Sequence, residues 1–302
     1  MTTIDHSYTQ LLLSILSKNN AKGDRTGVGT ISQFGTMIHF NLSDVSGQKR
    51  YLPLINVRKV PLRYAFEELM FMLNGYRDTR MLESKKIKIW TKNTSRKFLD
   101  ERGLDYLEVG DMGRMYGAQL RQFHGLDNKG NPISFDQLDY IYNEIAGNPD
   151  SRRIITSHFN PAEASQGVLY PCHLFTQFAV NNGRLDCLFF MRSSDTGFGL
   201  PINLNYYALM THFLAESLGL LPGQLVYQAG DTHIYKDQLE SGMIDYMIDN
   251  QANHGHSFTQ PELEILKPLG SLDDILSLTF EDIKLTNYNP LPDYKNKPPM
   301  AE

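Results

Sequence analysis

Cys172 is the side chain best suited to making and breaking a covalent bond. It stands in Tyr170-Pro-Cys-His173, with His173 beside it. A thiol becomes a good nucleophile when nearby cations draw it toward the thiolate. A buried, inert cysteine is the other outcome, and the tetrapeptide read alone favours that one. Cys187 lies within an apolar strand pattern and reads as inert. Four arginines, Arg25, Arg152, Arg153 and Arg192, each sit beside a turn or a strand end, and Ser193 follows Arg192. Guanidinium forks joined by a serine hydroxyl suit a phosphate dianion; read singly, these arginines fit solvated surface charge as well. In Gly230-Asp-Thr-His-Ile-Tyr235, His233 and Tyr235 are two apart and share one side of an extended segment. There they can bond a sugar hydroxyl, or His233 is simply structural. Glu68 lies inside an apolar run, where burial would raise its pKa and suit proton relay; pairing of Glu67 or Glu68 with Arg63 is the alternative. Asn203 carries an amide that donates and accepts at once, which can read the edge of a base such as uracil. It also stands where a helix N-cap would.

These groups need elements to hold them. Helices are expected over 8–18, 62–73 and 136–145, and a long apolar one over 203–218 ended by Gly219. Strands are expected over 31–42, 153–158, 174–180, 185–191 and, briefly, 225–229. Residues 91–135 are polar and Gly-rich with little periodicity, so an exposed, loop-rich insertion is expected there. The tail from Tyr288 holds four prolines and should be irregular. Helices and strands mix without a regular βαβ rhythm, which argues an α+β fold. No linker-like stretch divides the chain, so residues 1–302 read as a single domain.

Composition narrows the partners. A net charge of −5 gives no hint of nucleic acid, so an anionic ligand must be met by a local cluster of cations. No window approaches a membrane span, and the N-terminus lacks a signal-peptide pattern. Two cysteines offer neither a disulfide framework nor zinc-ligand spacing. No metal is expected, and a reducing cytoplasm, or a host cytoplasm for a viral protein, fits best.

Singly these signals are weak; their order is not. Asp24-Arg-Thr-Gly-Val-Gly-Thr30, Pro149-Asp-Ser-Arg-Arg153, Pro171-Cys-His173, Arg192-Ser-Ser-Asp195, Gly199-Leu-Pro-Ile-Asn203 and Gly230-Asp-Thr-His-Ile-Tyr235 together resemble the thymidylate synthase family, in that family's chain order. The resemblance implies a mixed β-sheet packed with helices and a homodimer formed through the sheet. It implies that Cys172 attacks C6 of dUMP and that C5 then attacks the methylene group of 5,10-methylenetetrahydrofolate. Arg25, Arg192 and Ser193 would hold the phosphate, with Arg152 and Arg153 reaching in from the partner subunit. Asn203 would read the uracil, and His233 with Tyr235 would hold the 3′-hydroxyl. Glu68 would organise proton transfer through water, and Tyr116 would assist removal of the C5 proton. Asp195 would bind the pterin and Trp90 would pack beside the folate, in a pocket that also takes in Gly199, Asn93 and the C-terminal Glu302. The same arginines would lower the pKa of Cys172.

Several positions depart from the family wording, mostly on the folate side. Asn93 replaces a second Trp after Trp90, Ser157-His-Phe-Asn160 replaces Ser-Ala-Trp-Asn, and Glu68-Leu-Met-Phe-Met-Leu73 replaces Glu-Leu-Leu-Trp-Phe-Leu. Met191 stands for Gln, and the chain ends on Glu302 where an apolar residue is usual. A dry site protects an exocyclic methylene until hydride arrives; admitted water would convert it to hydroxymethyl. The run from Met191 to Gly199 also resembles deoxycytidylate hydroxymethylases, which carry Asp where this chain has Asn203. The expectation drawn is a dUMP hydroxymethylase making 5-hydroxymethyl-dUMP, with a thymidylate synthase making dTMP as the alternative. An inactive nucleotide-binding homologue is the third reading.

Overall fold

The computed structural model describes residues 3–299. In chain order the elements are α1 (Ile4–Lys18), β1 (Ala21–Lys22), β2 (Thr30–Asn41), α2 (Leu62–Leu73), α3 (Arg80–Ser84), α4 (Arg96–Glu101) and α5 (Gly117–Arg121). Then come β3 (Phe123–Leu126), β4 (Pro132–Phe135), α6 (Gln137–Gly147), β5 (Ile155–Ser157), β6 (His173–Asn181), β7 (Arg184–Asp195) and α7 (Gly199–Ser217). β8 (Leu221–Tyr235), α8 (Lys236–Glu240), α9 (Met243–His254), β9 (Glu262–Ile265), α10 (Leu272–Leu276) and β10 (Ile283–Thr286) complete the order.

A six-stranded sheet runs β1-β2-β8-β7-β6-β5. β7 and β8 are parallel and the other pairs antiparallel, so the sheet is mixed and the fold α+β, as expected. One face packs on the helices. Its residues Thr176, Phe178, Cys187, Phe189, Leu225 and Tyr227 are fully buried, with α7 laid across them and α2 against α7. α7 is apolar around its whole circumference because it is buried on all sides, which is how a central helix reads. The opposite face carries Phe175, Leu188, Phe190 and Val226, only partly covered, and Met37, 58% exposed.

Three expectations change. α7 begins at Gly199, so Asn203 lies inside its first turns and is not its N-cap; Phe198 holds that position. Pro201 does not break the helix because first-turn positions need no N–H partner. The short strand expected over 225–229 is the middle of β8, fifteen residues long, held by ladders to both β2 and β7. Residues 91–135 are not simply an exposed insertion. The β3–β4 hairpin and residues 100–109 are mostly exposed, while Leu99, Leu104, Leu107, Met112, Met115, Tyr116 and Leu120 join the core. The tail is irregular from Tyr288 onward, and Glu302 lies outside the described residues.

Candidate active site

A cleft of about 410 Å³ opens at the end of the sheet where β7 and β8 finish. Arg25, Cys172, Arg192, Ser193, His233 and Tyr235 line it together. Four distant segments are thereby joined: the β1–β2 loop, the entry to β6, and the ends of two adjacent parallel strands.

Cys172 sits on the floor, half-buried, with its backbone held from both sides. Its N–H donates to the Tyr116 hydroxyl at 3.0 Å, and its carbonyl accepts from the Arg192 N–H at 2.8 Å. The Arg192 guanidinium is aimed by two carbonyls, with Nε donating to Pro171 at 2.9 Å and Nη2 to Tyr170 at 2.8 Å. That leaves Nη2 3.7 Å from the Cys172 sulfur. Burial raises the Cys172 thiol above its ordinary value, and Arg192 and Arg25 pull it back only in part. The expected lowering therefore does not hold in the free protein. A sequence can count cations but not the desolvation that opposes them.

Arg25 is exposed, in a loop that Asp24 organises by accepting from the N–H groups of Thr26 (2.8 Å) and Gly29 (2.6 Å). On β8, His233 and Tyr235 meet edge to face at 5.0 Å. Asp231 accepts from Lys22 at 3.0 Å and bonds His233 Nδ1 at 3.0 Å. These two partners, His233 first, hold its carboxyl down to about 2. His233 Nε2 is buried without a partner among the described residues, free to meet a ligand hydroxyl in the cleft that His233 lines.

Behind the floor runs a second set. Glu68, on α2, accepts from Trp90 Nε1 at 2.9 Å. The Trp90 ring packs at 5.9 Å on Tyr116, whose hydroxyl holds Cys172. Burial pushes the Glu68 carboxyl up to about 7 against the opposing Trp90 bond. Glu67, not Glu68, takes the cations, from Arg63 at 3.5 Å and from Lys85. Asp195 Oδ1 accepts from Gly197 N and from Gln238 Nε2, both at 2.9 Å. Asn203 is half-buried, and its amide has no hydrogen-bond partner among the described residues. Gly199 lies at the helix start beside both: a Cβ there would come within 3.5 Å of the Asn203 side chain and 3.7 Å of Asp195.

Arg152 and Arg153 are not in this cleft. They are exposed just before β5, the outermost strand of the sheet. Asn93 is 5% exposed, its amide nitrogen has no hydrogen-bond partner among the described residues, and it is not among the residues that line this cleft. Lys22, Phe98, Arg102 and Asp231 do line it and were not foreseen. Phe98 and Arg102 come from α4 and the residue after it, where the sequence offered no motif.

A second cavity of about 320 Å³ lies beside α7, walled by Val60, Tyr64, Ile89, Phe198 and Ile202, with Arg58 and Lys297 among its lining residues. Among the described residues, no group of three or more His, Cys, Asp or Glu could hold a metal ion. No described helix is long and apolar enough to cross a membrane.

A thiol under two guanidinium groups, with a near-neutral carboxyl behind it, is the equipment of an enzyme that attacks an anionic substrate covalently. Sequence comparison identifies the class. A thymidylate synthase profile matches residues 6–300. Thymidylate synthase of Human herpesvirus 8 type P (isolate GK18) is 38% identical over 289 residues, 94% of this chain and 81% of that one. Thymidylate synthase 1/2 of Encephalitozoon cuniculi (strain GB-M1) is 36% identical over 296 residues, 96% of each. Bifunctional dihydrofolate reductase-thymidylate synthase 2 of Arabidopsis thaliana is 37% identical over 292 residues, and this chain spans about half of that longer protein, 48%. The chain belongs to the thymidylate synthase family, and it is a one-carbon transferase.

Proposed function

We propose that the chain is a thymidylate synthase that methylates C5 of dUMP to give dTMP, with 5,10-methylenetetrahydrofolate as co-substrate. The observation that carries this is Cys172 on the cleft floor beneath Arg192, with Arg25, Ser193, His233 and Tyr235 around it. Two arginines and a serine suit the phosphate dianion. The unpartnered His233 nitrogen and Tyr235 suit the sugar hydroxyl. The Cys172 sulfur adds to C6, and the displaced electron pair makes C5 nucleophilic. Tyr116 and Glu68 then handle the C5 proton, Glu68 through water, with a pKa near the working pH. Sulfur leaves C6 when the product forms.

The folate supplies the carbon and the hydride when bound. The cavity beside α7 suits it chemically: apolar and aromatic walls for a flat ring system, and Arg58 and Lys297, both now paired with Asp293, as cations that a ligand carboxylate could take over. Asp195 Oδ2, which carries no hydrogen bond among the described residues, is suited to a pterin N–H group. Trp90 and Gly199 stand nearby in this reading.

The names of the relatives favour methyl over hydroxymethyl transfer. A second copy is proposed on the uncovered sheet face. Apolar side chains on both faces of a strand suit a sheet covered on both sides. That copy would bring its Arg152 and Arg153 to this cleft. Following dihydrofolate release as dUMP is consumed tests the reading. One dihydrofolate per nucleotide is expected, and turnover of dUMP that leaves tetrahydrofolate would overturn it.

A further inference from the structure

We propose that Asp293 is a specificity-determining residue of the cavity beside α7: an internal carboxylate that holds the place of a ligand carboxylate and must give it up on binding. The inference rests on the reading of that cavity as the folate site and deepens it.

Arg58, Asp293 and Lys297 line the cavity, and Asp293 is the one acid among its described lining residues. Both cations face it: Arg58 Nη1 stands 3.6 Å from Asp293 Oδ1, and Lys297 Nζ bonds Oδ2. Arg58 is fixed in place. Its side chain is 5% exposed, its Nη2 donates to the Gly197 carbonyl at 2.6 Å, and its guanidinium lies 5.8 Å from the centre of the Phe198 ring. The backbone before it is held too, since Asp5 accepts the Val57 N–H at 3.0 Å. A buried guanidinium needs a counter-charge and acceptors for its donors. Arg58 is short of acceptors. Its Nε is buried with no partner among the described residues, and its contact with Asp293 is longer than a hydrogen bond. Asp293 therefore balances the charge of Arg58 without filling its hydrogen-bonding capacity.

The irregular tail brings Asp293 here by anchored backbone. The Leu291 N–H donates to the Asn56 carbonyl at 2.8 Å, and the Pro292 carbonyl accepts from the Tyr246 hydroxyl at 2.8 Å. On the other side, the Tyr294 hydroxyl donates to the Ser241 carbonyl, and the Tyr294 N–H donates to Asp293 Oδ1 at 3.0 Å. With its neighbours tied down, an entering carboxylate displaces the Asp293 side chain and not the tail. The walls that would take the rings, Val60, Tyr64, Ile89, Phe198 and Ile202, carry no charge. The cost of displacing Asp293 therefore falls on the carboxylate end of a ligand alone.

Asp293→Asn removes the competing charge and keeps the shape. In calorimetry with dUMP present, tetrahydrofolate, which has no methylene to transfer, should bind the variant about fivefold more tightly than wild type, the upper end for a partly exposed ion pair. Tetrahydrofolate with both glutamyl carboxylates converted to amides should bind the two proteins alike. N-benzoylglutamate, which has the carboxylates and no pterin, should raise the melting temperature of the variant more than that of wild type. If Asp293→Asn does not fold, Asp293→Ser takes its place with the same expectations. Unchanged or weaker tetrahydrofolate binding in the variant would overturn the proposal. Equal tightening of the acid and amide ligands, or an equal benzoylglutamate shift in both proteins, would overturn it too. A wild-type protein that releases no dihydrofolate from dUMP would instead count against the proposed function, with the benzoylglutamate comparison still deciding the role of Asp293.

Discussion

Replacing Glu68 by Gln should make the protein more stable and far less active. Glu68 is buried on α2, and its one hydrogen-bond partner among the described residues is the Trp90 N–H at 2.9 Å. Burial raises its carboxyl from an ordinary 4.5 to about 7. The folded state therefore holds this proton more tightly than the unfolded chain does, and stability falls as pH rises between those two values. The difference of about 2.5 in pKa, at about 1.4 kcal/mol each, is about 3 kcal/mol of stability present in acid and lost above about pH 7. Gln keeps the size and the acceptor for Trp90 but cannot ionise. Urea unfolding should show Glu68→Gln ahead of wild type by about 3 kcal/mol at about pH 8, with most of that gap gone at about pH 5. The same variant should lose about two to four orders of magnitude in kcat if Glu68 relays a proton. A gap of equal size at both pH values would refute the account of the raised carboxyl. Full activity in the variant would refute its role.

Three further outcomes are expected. Arg192→Ala should slow alkylation of Cys172 about tenfold at fixed pH, because the larger of two opposing cations is gone; an unchanged rate would mean that Arg192 does not govern the thiol. Asn203→Asp should shift preference from dUMP towards dCMP, since a protonated carboxyl offers the reversed donor pattern; unchanged preference in competition assays would remove Asn203 from base reading. Phe190→Glu, on the uncovered sheet face and away from the cleft, should convert a dimer to a monomer in sedimentation; a wild-type monomer would contradict the second copy.

Much of this was legible in the sequence, and the reasons differ by residue. α2 matches its expected bounds because ten of its twelve residues are buried, so the apolar run is the helix itself. His233 and Tyr235 were foreseen on one side of a strand because alternation is a local property. The length of β8 was not, because the apolar run of 225–229 and the polar segment of 230–235 were read apart, and the ladders to β2 and β7 join them into one strand. The line from Glu68 through Trp90 and Tyr116 to Cys172 joins residues 22 and 56 positions apart at its hydrogen bonds, which no local pattern reveals. Residues 91–135 misled because their glycines and charges suggested solvent, while Leu99 and Leu104 anchor that stretch in the core. The raised Cys172 thiol was missed because arginines show in a sequence and desolvation does not.

The central claim is that this cleft delivers a methyl group to C5 of dUMP. The most direct measurement is the mass of the nucleotide after incubation with dUMP and 5,10-methylenetetrahydrofolate. The account predicts a nucleotide that has gained a methyl group, and none when Cys172→Ser replaces the wild type. A nucleotide carrying hydroxymethyl, or unaltered dUMP from a folded wild-type protein, would contradict it.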